Sequence, residues 1–120
     1  MRNLLILLLA LMLGAMLPGC RRTPSARLQA MSRAEALMDS FPDSALAVMR
    51  GVSIPAEASR REHALYALLL TQALDKNYID VADDSLIAVA DEYYRTTSDT
   101  RRQMLSSFYR ARVRVNALDY

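Results

Sequence analysis

Cys20, the only cysteine of this 120-residue chain, is its best-placed reactive group, because of what precedes it. Met1-Arg2-Asn3 supplies a positive charge, and Leu4 to Leu17 is an apolar run, shorter than the roughly 20 residues of a membrane span and fitted to the core of a signal peptide. A thiol directly after such a segment arrives at the membrane surface, where a lipid can alkylate it. The other parts for chemistry are few. His63 is the only histidine and Cys20 the only cysteine, so the sequence offers no zinc-site pattern and no evident Cys-His or Ser-His pair, and His63 reads as a polar-face residue of a helix. Asp80, Asp83 and Asp84 fall within one turn, but lack the alternating ligands and the glycine of a calcium loop; acids at a helix start complement its dipole instead. Asp91-Glu92 reads as a solvated helix edge. An enzyme would need a site made only of carboxylates, Lys76, arginines and tyrosines. The expectation is a protein without catalysis, metal or cofactor.

Leu17-Pro18-Gly19-Cys20 resembles the lipobox of bacterial lipoproteins: a branched apolar residue, two small residues, then the cysteine that is lipidated. Pro18 departs from the Ala, Ser or Thr usual at its position. The resemblance implies that residues 1–19 are a cleaved lipoprotein signal peptide, that Cys20 carries acyl chains such as palmitate, and that residues 20–25 are a short lipidated tether. Burying acyl chains contributes about 0.8 kcal/mol per methylene, so two or more chains hold firmly. The expected location is the bacterial cell envelope, in the outer membrane facing the periplasm rather than at the cell surface. A soluble secreted protein with an isolated cysteine, or an uncleaved N-terminal membrane helix, are the alternatives.

Cleavage before Cys20 leaves 101 residues, enough for one domain with a modest core. No disulfide can form within the chain, so packing must hold that domain together. Losing Arg2 lowers the formal charge from +2 to +1, which argues for no class of charged partner. Three glycines, no tryptophan, and abundant Ala, Leu and Arg point to an all-helical protein.

The apolar spacing divides residues 26–120 into about five helices. Thr23 or Ser25 can cap the first, striped by Leu28, Met31, Leu37 and Met38 and running to about Ser40 before Phe41-Pro42. Asp43 or Ser44 caps a short second, with Ala45, Leu46 and Met49, stopped by Gly51 and Pro55. Ser59-Arg60-Arg61-Glu62 has capping-box spacing and opens a long third helix to about Lys76, followed by a turn at Asn77 to Asp80. Leu86, Ile87, Ala90, Tyr93 and Tyr94 stripe the fourth; Thr96 to Asp99 breaks the chain. From Thr100 a fifth helix groups Leu105, Phe108, Val115 and Leu118. Arg110 to Val115 alternates with period two, a strand signal, but a lone strand would leave its backbone unpaired where a helix satisfies its own.

The segment from Arg60-Arg61 to Asn77-Tyr78 echoes that from Arg101-Arg102 to Asp119-Tyr120, about forty residues on. With Ala34-Glu35-Ala36-Leu37-Met38, Pro42-Asp43-Ser44-Ala45-Leu46 and Ala64 to Ala73, the chain resembles the tetratricopeptide-repeat-like lipoproteins of Bacteroidetes. That implies an all-α fold of stacked antiparallel helical hairpins, an α-solenoid fragment. Arg110, Ala111, Arg114 and Leu118 replace the leucine, glycine, aromatic and turn glycine expected there. The last repeat is therefore expected to be incomplete, its fifth helix unpartnered, and the chain a truncated member of a longer family.

Function follows from the resemblance: a membrane-anchored module for protein–protein interaction, its partner a protein or peptide held in the groove of the stacked helices. An envelope- or carbohydrate-associated accessory lipoprotein is the alternative. The candidate contact residues are Tyr93, Tyr94, Leu105 and Phe108. Arg101, Arg102, Arg110, Arg112 and Arg114 with Phe108 and Tyr109 could suit a nucleic acid, but export argues against that partner, and a solvated, unfinished basic face is expected. The tyrosines read as packing residues. The oligomeric state stays open.

Overall fold

The computed structural model describes Met1 and residues 25–118; the segment expected to be a signal peptide, with Leu17-Pro18-Gly19, Cys20 and the end at Asp119-Tyr120, lies outside the described residues. The described chain is all-helical, with five helices and no strand: α1 (Ala26–Leu37), α2 (Pro42–Arg50), α3 (Arg60–Lys76), α4 (Ser85–Tyr94) and α5 (Thr100–Leu118). No helix among the described residues is long and apolar enough to cross a membrane.

Local chemistry explains most of the helix ends. Ser25 caps α1, its hydroxyl accepting from the Leu28 N–H at 3.3 Å, and α1 closes at Leu37, short of Ser40. For α2 the expected cap is wrong. Asp43 and Ser44 lie inside the helix, Phe41 holds the cap position without a side-chain bond, and Pro42 occupies the first turn, where its missing N–H costs nothing. The capping box on α3 is complete: Ser59 Oγ accepts from the Glu62 N–H at 3.2 Å, and Glu62 Oε2 accepts from the Ser59 N–H at 3.0 Å. α5 is capped by Asp99, whose carboxylate accepts from the Arg102 N–H at 3.0 Å.

α3 ends in a Schellman motif. The Ile79 N–H reaches the Leu74 carbonyl and the Tyr78 N–H reaches that of Asp75, both at 3.0 Å, which places Tyr78 at the left-handed position with φ 59°. Glycine usually sits there, since a Cβ strains that conformation. The Tyr78 ring is fully exposed rather than packed. The Asn77 amide ties this turn to the start of α2, donating to the Pro42 carbonyl at 2.8 Å.

α3 touches all four other helices and is buried on two sides. Leu65, Leu69 and Ala73 form one side, at four-residue spacing, and pack with Met31, Ala34 and Met38 of α1 and Ala45, Leu46 and Met49 of α2. Ala64, Ala67 and Leu68 form the other, against Ile87, Ala90 and Tyr94 of α4 and Tyr109 and Val113 of α5. The expectation of an unpartnered fifth helix is thereby corrected. One side of α5 lies in the second core, where Tyr109 and Val113 are buried and Ser106 is completely enclosed, its hydroxyl bonded to the Arg102 carbonyl at 2.7 Å.

Because the two cores share α3, Leu69→Ala in the first and Leu68→Ala in the second should each cost about 3 kcal/mol. Thermal unfolding followed by circular dichroism should stay a single transition in both variants; two separable steps would show the cores to be independent. Tyr78→Gly should raise stability by about 0.5–1 kcal/mol in the same assay, by relieving the left-handed strain.

Candidate interaction surface

The arginines of α5 are paired inside the chain. Arg110 donates to Asp91 at 2.8 Å and to Asp84 at 3.2 Å; Arg114 reaches Asp84 at 2.9 Å; Arg112 reaches Asp75 at 2.5 Å. The period-two alternation thus has a helical explanation: Arg110 and Arg114, one turn apart, face α4, while Arg112 faces α3. Asp91 is no solvated edge, being 1 % exposed and held by Arg95, Arg110 and the Ser107 hydroxyl. Burial works to raise its pKa, but the Arg110 and Ser107 hydrogen bonds and the two guanidinium charges outweigh that and hold the carboxyl below its ordinary value. Asp84 holds the N-cap position of α4 without capping it, and its pKa is lowered by Arg114 and then Arg110. The Ser85 N–H is satisfied by Asp83 at 2.9 Å instead.

A second set of ion pairs joins elements far apart in sequence. Arg27 on α1 donates to Glu62 on α3 at 2.8 Å, and with the Ser59 backbone and hydroxyl this lowers the Glu62 pKa to about 2. Lys76 meets Asp39 at 3.1 Å. Arg102 and Arg101 on α5 reach Glu35 on α1 at 2.9 and 3.2 Å. α1 and α5 are therefore bridged by side chains across α3.

The expected contact residues separate. Tyr94 is a core residue at 4 % exposure, its hydroxyl pushed up to about 12 by burial, and Leu105 packs against the second core. Tyr93 is half-buried, edge-on to Tyr94 with ring centroids 5.2 Å apart, and stands between two shallow hollows. One, of about 380 Å³, is lined by Arg60, His63, Val89, Glu92 and Tyr93; the other, of about 210 Å³, includes Arg61, Leu65, Asp99 and Arg102. Phe108 alone among the four is well exposed, and it is not alone on its helix. Met104, Phe108, Val115 and Leu118 are 65, 55, 56 and 83 % exposed, and with exposed Ala111 they recur at spacings of four and three residues. That is one continuous stripe along α5, on the side away from Tyr109 and Val113. The expected grouping of Leu105, Phe108, Val115 and Leu118 has the wrong member at its start: Met104 replaces Leu105.

Among the described residues no group of three or more His, Cys, Asp or Glu side chains could hold a metal ion. No protein-family model, curated protein or solved structure matches the chain.

Glu62, Asp84, Asp91 and Asp99 all have lowered pKa values in the folded protein, so folding favours their ionised forms. Their stabilisation is complete above the ordinary carboxylate range and is lost as pH falls through the folded values. The melting temperature should therefore fall as pH drops from about 5 towards 2. Glu62→Gln should be less stable than the parent at pH 7 and flatter across this window; an equally steep fall would place the acid sensitivity elsewhere.

Proposed function

We propose that the protein is a membrane-anchored lipoprotein of the cell envelope whose tetratricopeptide-like helical domain holds another protein and performs no chemistry. The domain would occupy residues 26–120, with the lipidated tether of residues 20–25 keeping it close to the bilayer. The lipobox-like Leu17-Pro18-Gly19-Cys20 supports the anchor, which would consume the chain's only thiol. The observation that carries the binding role is the stripe of Met104, Phe108, Val115 and Leu118: four large apolar side chains aligned on one solvent-facing helix side form a surface that another macromolecule would cover. Most of the ionisable groups that a catalyst would use are tied into ion pairs, as Asp84, Asp91 and Glu62 are.

A carbohydrate-associated role is supported by a different observation. Phe41 and Tyr78 are exposed aromatics at adjoining turns, linked through the Asn77–Pro42 bond. Loss of binding to envelope polysaccharide in Phe41→Ala with Tyr78→Ala, with the α5 stripe intact, would favour it.

Two measurements test the main reading. Cys20→Ala should abolish incorporation of labelled palmitate and release the protein from the membrane fraction; a wild-type protein found soluble would remove the anchor. A photo-crosslinker placed on α5 in living cells should join the chain to another protein, and Met104→Ser with Phe108→Ser should lower the yield about tenfold or more, the effect of losing two buried apolar side chains. Undiminished crosslinking would place the contact elsewhere.

A further inference from the structure

We infer that the occupant of the α5 stripe is an amphipathic helix with acidic borders. This rests on the protein-binding reading above and names the chemistry of the partner. The residues at 104, 108, 111, 115 and 118 repeat with the alternating four and three spacing of a helix seam, with the small Ala111 at the centre, where a second helix axis can approach closely. The borders of the stripe are basic. Arg101 and Arg112 flank one side and Arg114 the other, and α5 contains no acidic residue. Each of these side chains is more than half exposed and gives its acid partner one hydrogen bond, Arg101 through Nη1 and the other two through Nε. A guanidinium has five N–H donors, so each retains donors for a second carboxylate. In helix pairs the residues beside the apolar seam choose the partner by charge, and here they select glutamate or aspartate.

Two other occupants fit less well. A second copy would set an arginine-only helix against itself. An anionic bilayer would supply the charge but no side chains to interdigitate with the four and three spacing of the stripe.

The experiment uses the full acylated chain in nanodiscs of neutral phosphatidylcholine. Two designed peptides share a leucine seam at four and three spacing and differ only in carrying glutamate or lysine beside it. By fluorescence anisotropy the glutamate peptide should bind about tenfold or more tightly than the lysine peptide, as three exposed charge pairs allow. The advantage should shrink in high salt. Arg101→Gln with Arg112→Gln and Arg114→Gln should erase the difference, while Met104→Ser with Phe108→Ser should remove binding of both peptides. Equal binding of the two peptides, or binding of neither, overturns the inference. So does a dimer by sedimentation velocity that Phe108→Ser dissolves, or protection of α5 from hydrogen exchange that appears only when anionic lipid is added. Crosslinking of α5 in cells together with equal binding of the two peptides would leave the protein-binding reading standing and sink only this one.

Discussion

The fold depends on one helix having two apolar sides. α3 carries Leu65, Leu69 and Ala73 on one and Ala64, Ala67 and Leu68 on the other, and these are the floors of the two cores. A helix that is apolar on a single stripe can serve one layer; one that is apolar nearly all round must be covered from both sides. The constraint propagates outwards. α1 and α2 close one side, α4 and α5 the other, and the capping box at Ser59-Glu62 with the Schellman turn at Tyr78 fixes how much of the chain α3 takes. Methionines Met31, Met38 and Met49 fill the first core, where unbranched side chains adapt to the gap between a long helix and a nine-residue one.

On the second side charge does part of the work of packing. Arg110 reaches over α4 to the buried Asp91, and Arg114 joins it at Asp84. Such a network contributes less than a well-packed apolar contact of the same volume, but it is intolerant of the loss of either partner, because a buried carboxylate without its cation is costly. It also fixes rotation. With three arginines tied to Asp75, Asp84 and Asp91, α5 can turn only Tyr109 and Val113 inwards, which leaves Met104, Phe108 and Val115 outside.

Much of this was legible in the sequence, and the misses have physical causes. The number of helices, the capping box and the breaks at Phe41-Pro42 and Thr96–Asp99 follow from local spacing and turn chemistry, which the residues carry by themselves. The face of α5 is different. Leu105 and Phe108 are both apolar, and only contact with α3 and α4 decides that Leu105 turns in and Phe108 out. The same holds for Asp91, which looks like a surface acid until Arg110, nineteen residues later, is brought to it. Tyr78 was hidden for another reason, since nothing about a tyrosine announces the left-handed conformation that glycine usually takes. Of the proposed site, Cys20 lies outside the described residues and rests on the sequence alone. The stripe needed both the 3.6-residue period and the knowledge of which neighbours are absent from one side of it.

An exposed apolar stripe on a surface helix is a hazard as well as an opportunity, since identical stripes attract one another. The arginine borders bear on that hazard directly. Two copies brought together along α5 would oppose Arg101, Arg112 and Arg114 with the same residues, and like charges at a seam disfavour pairing even where the apolar surfaces match. The internal partners Glu35, Asp75 and Asp84 mute this repulsion. The same side chains that hold α5 in the fold would thus discourage its self-association under the proposed reading. One set of residues can serve stability, solubility and partner choice together.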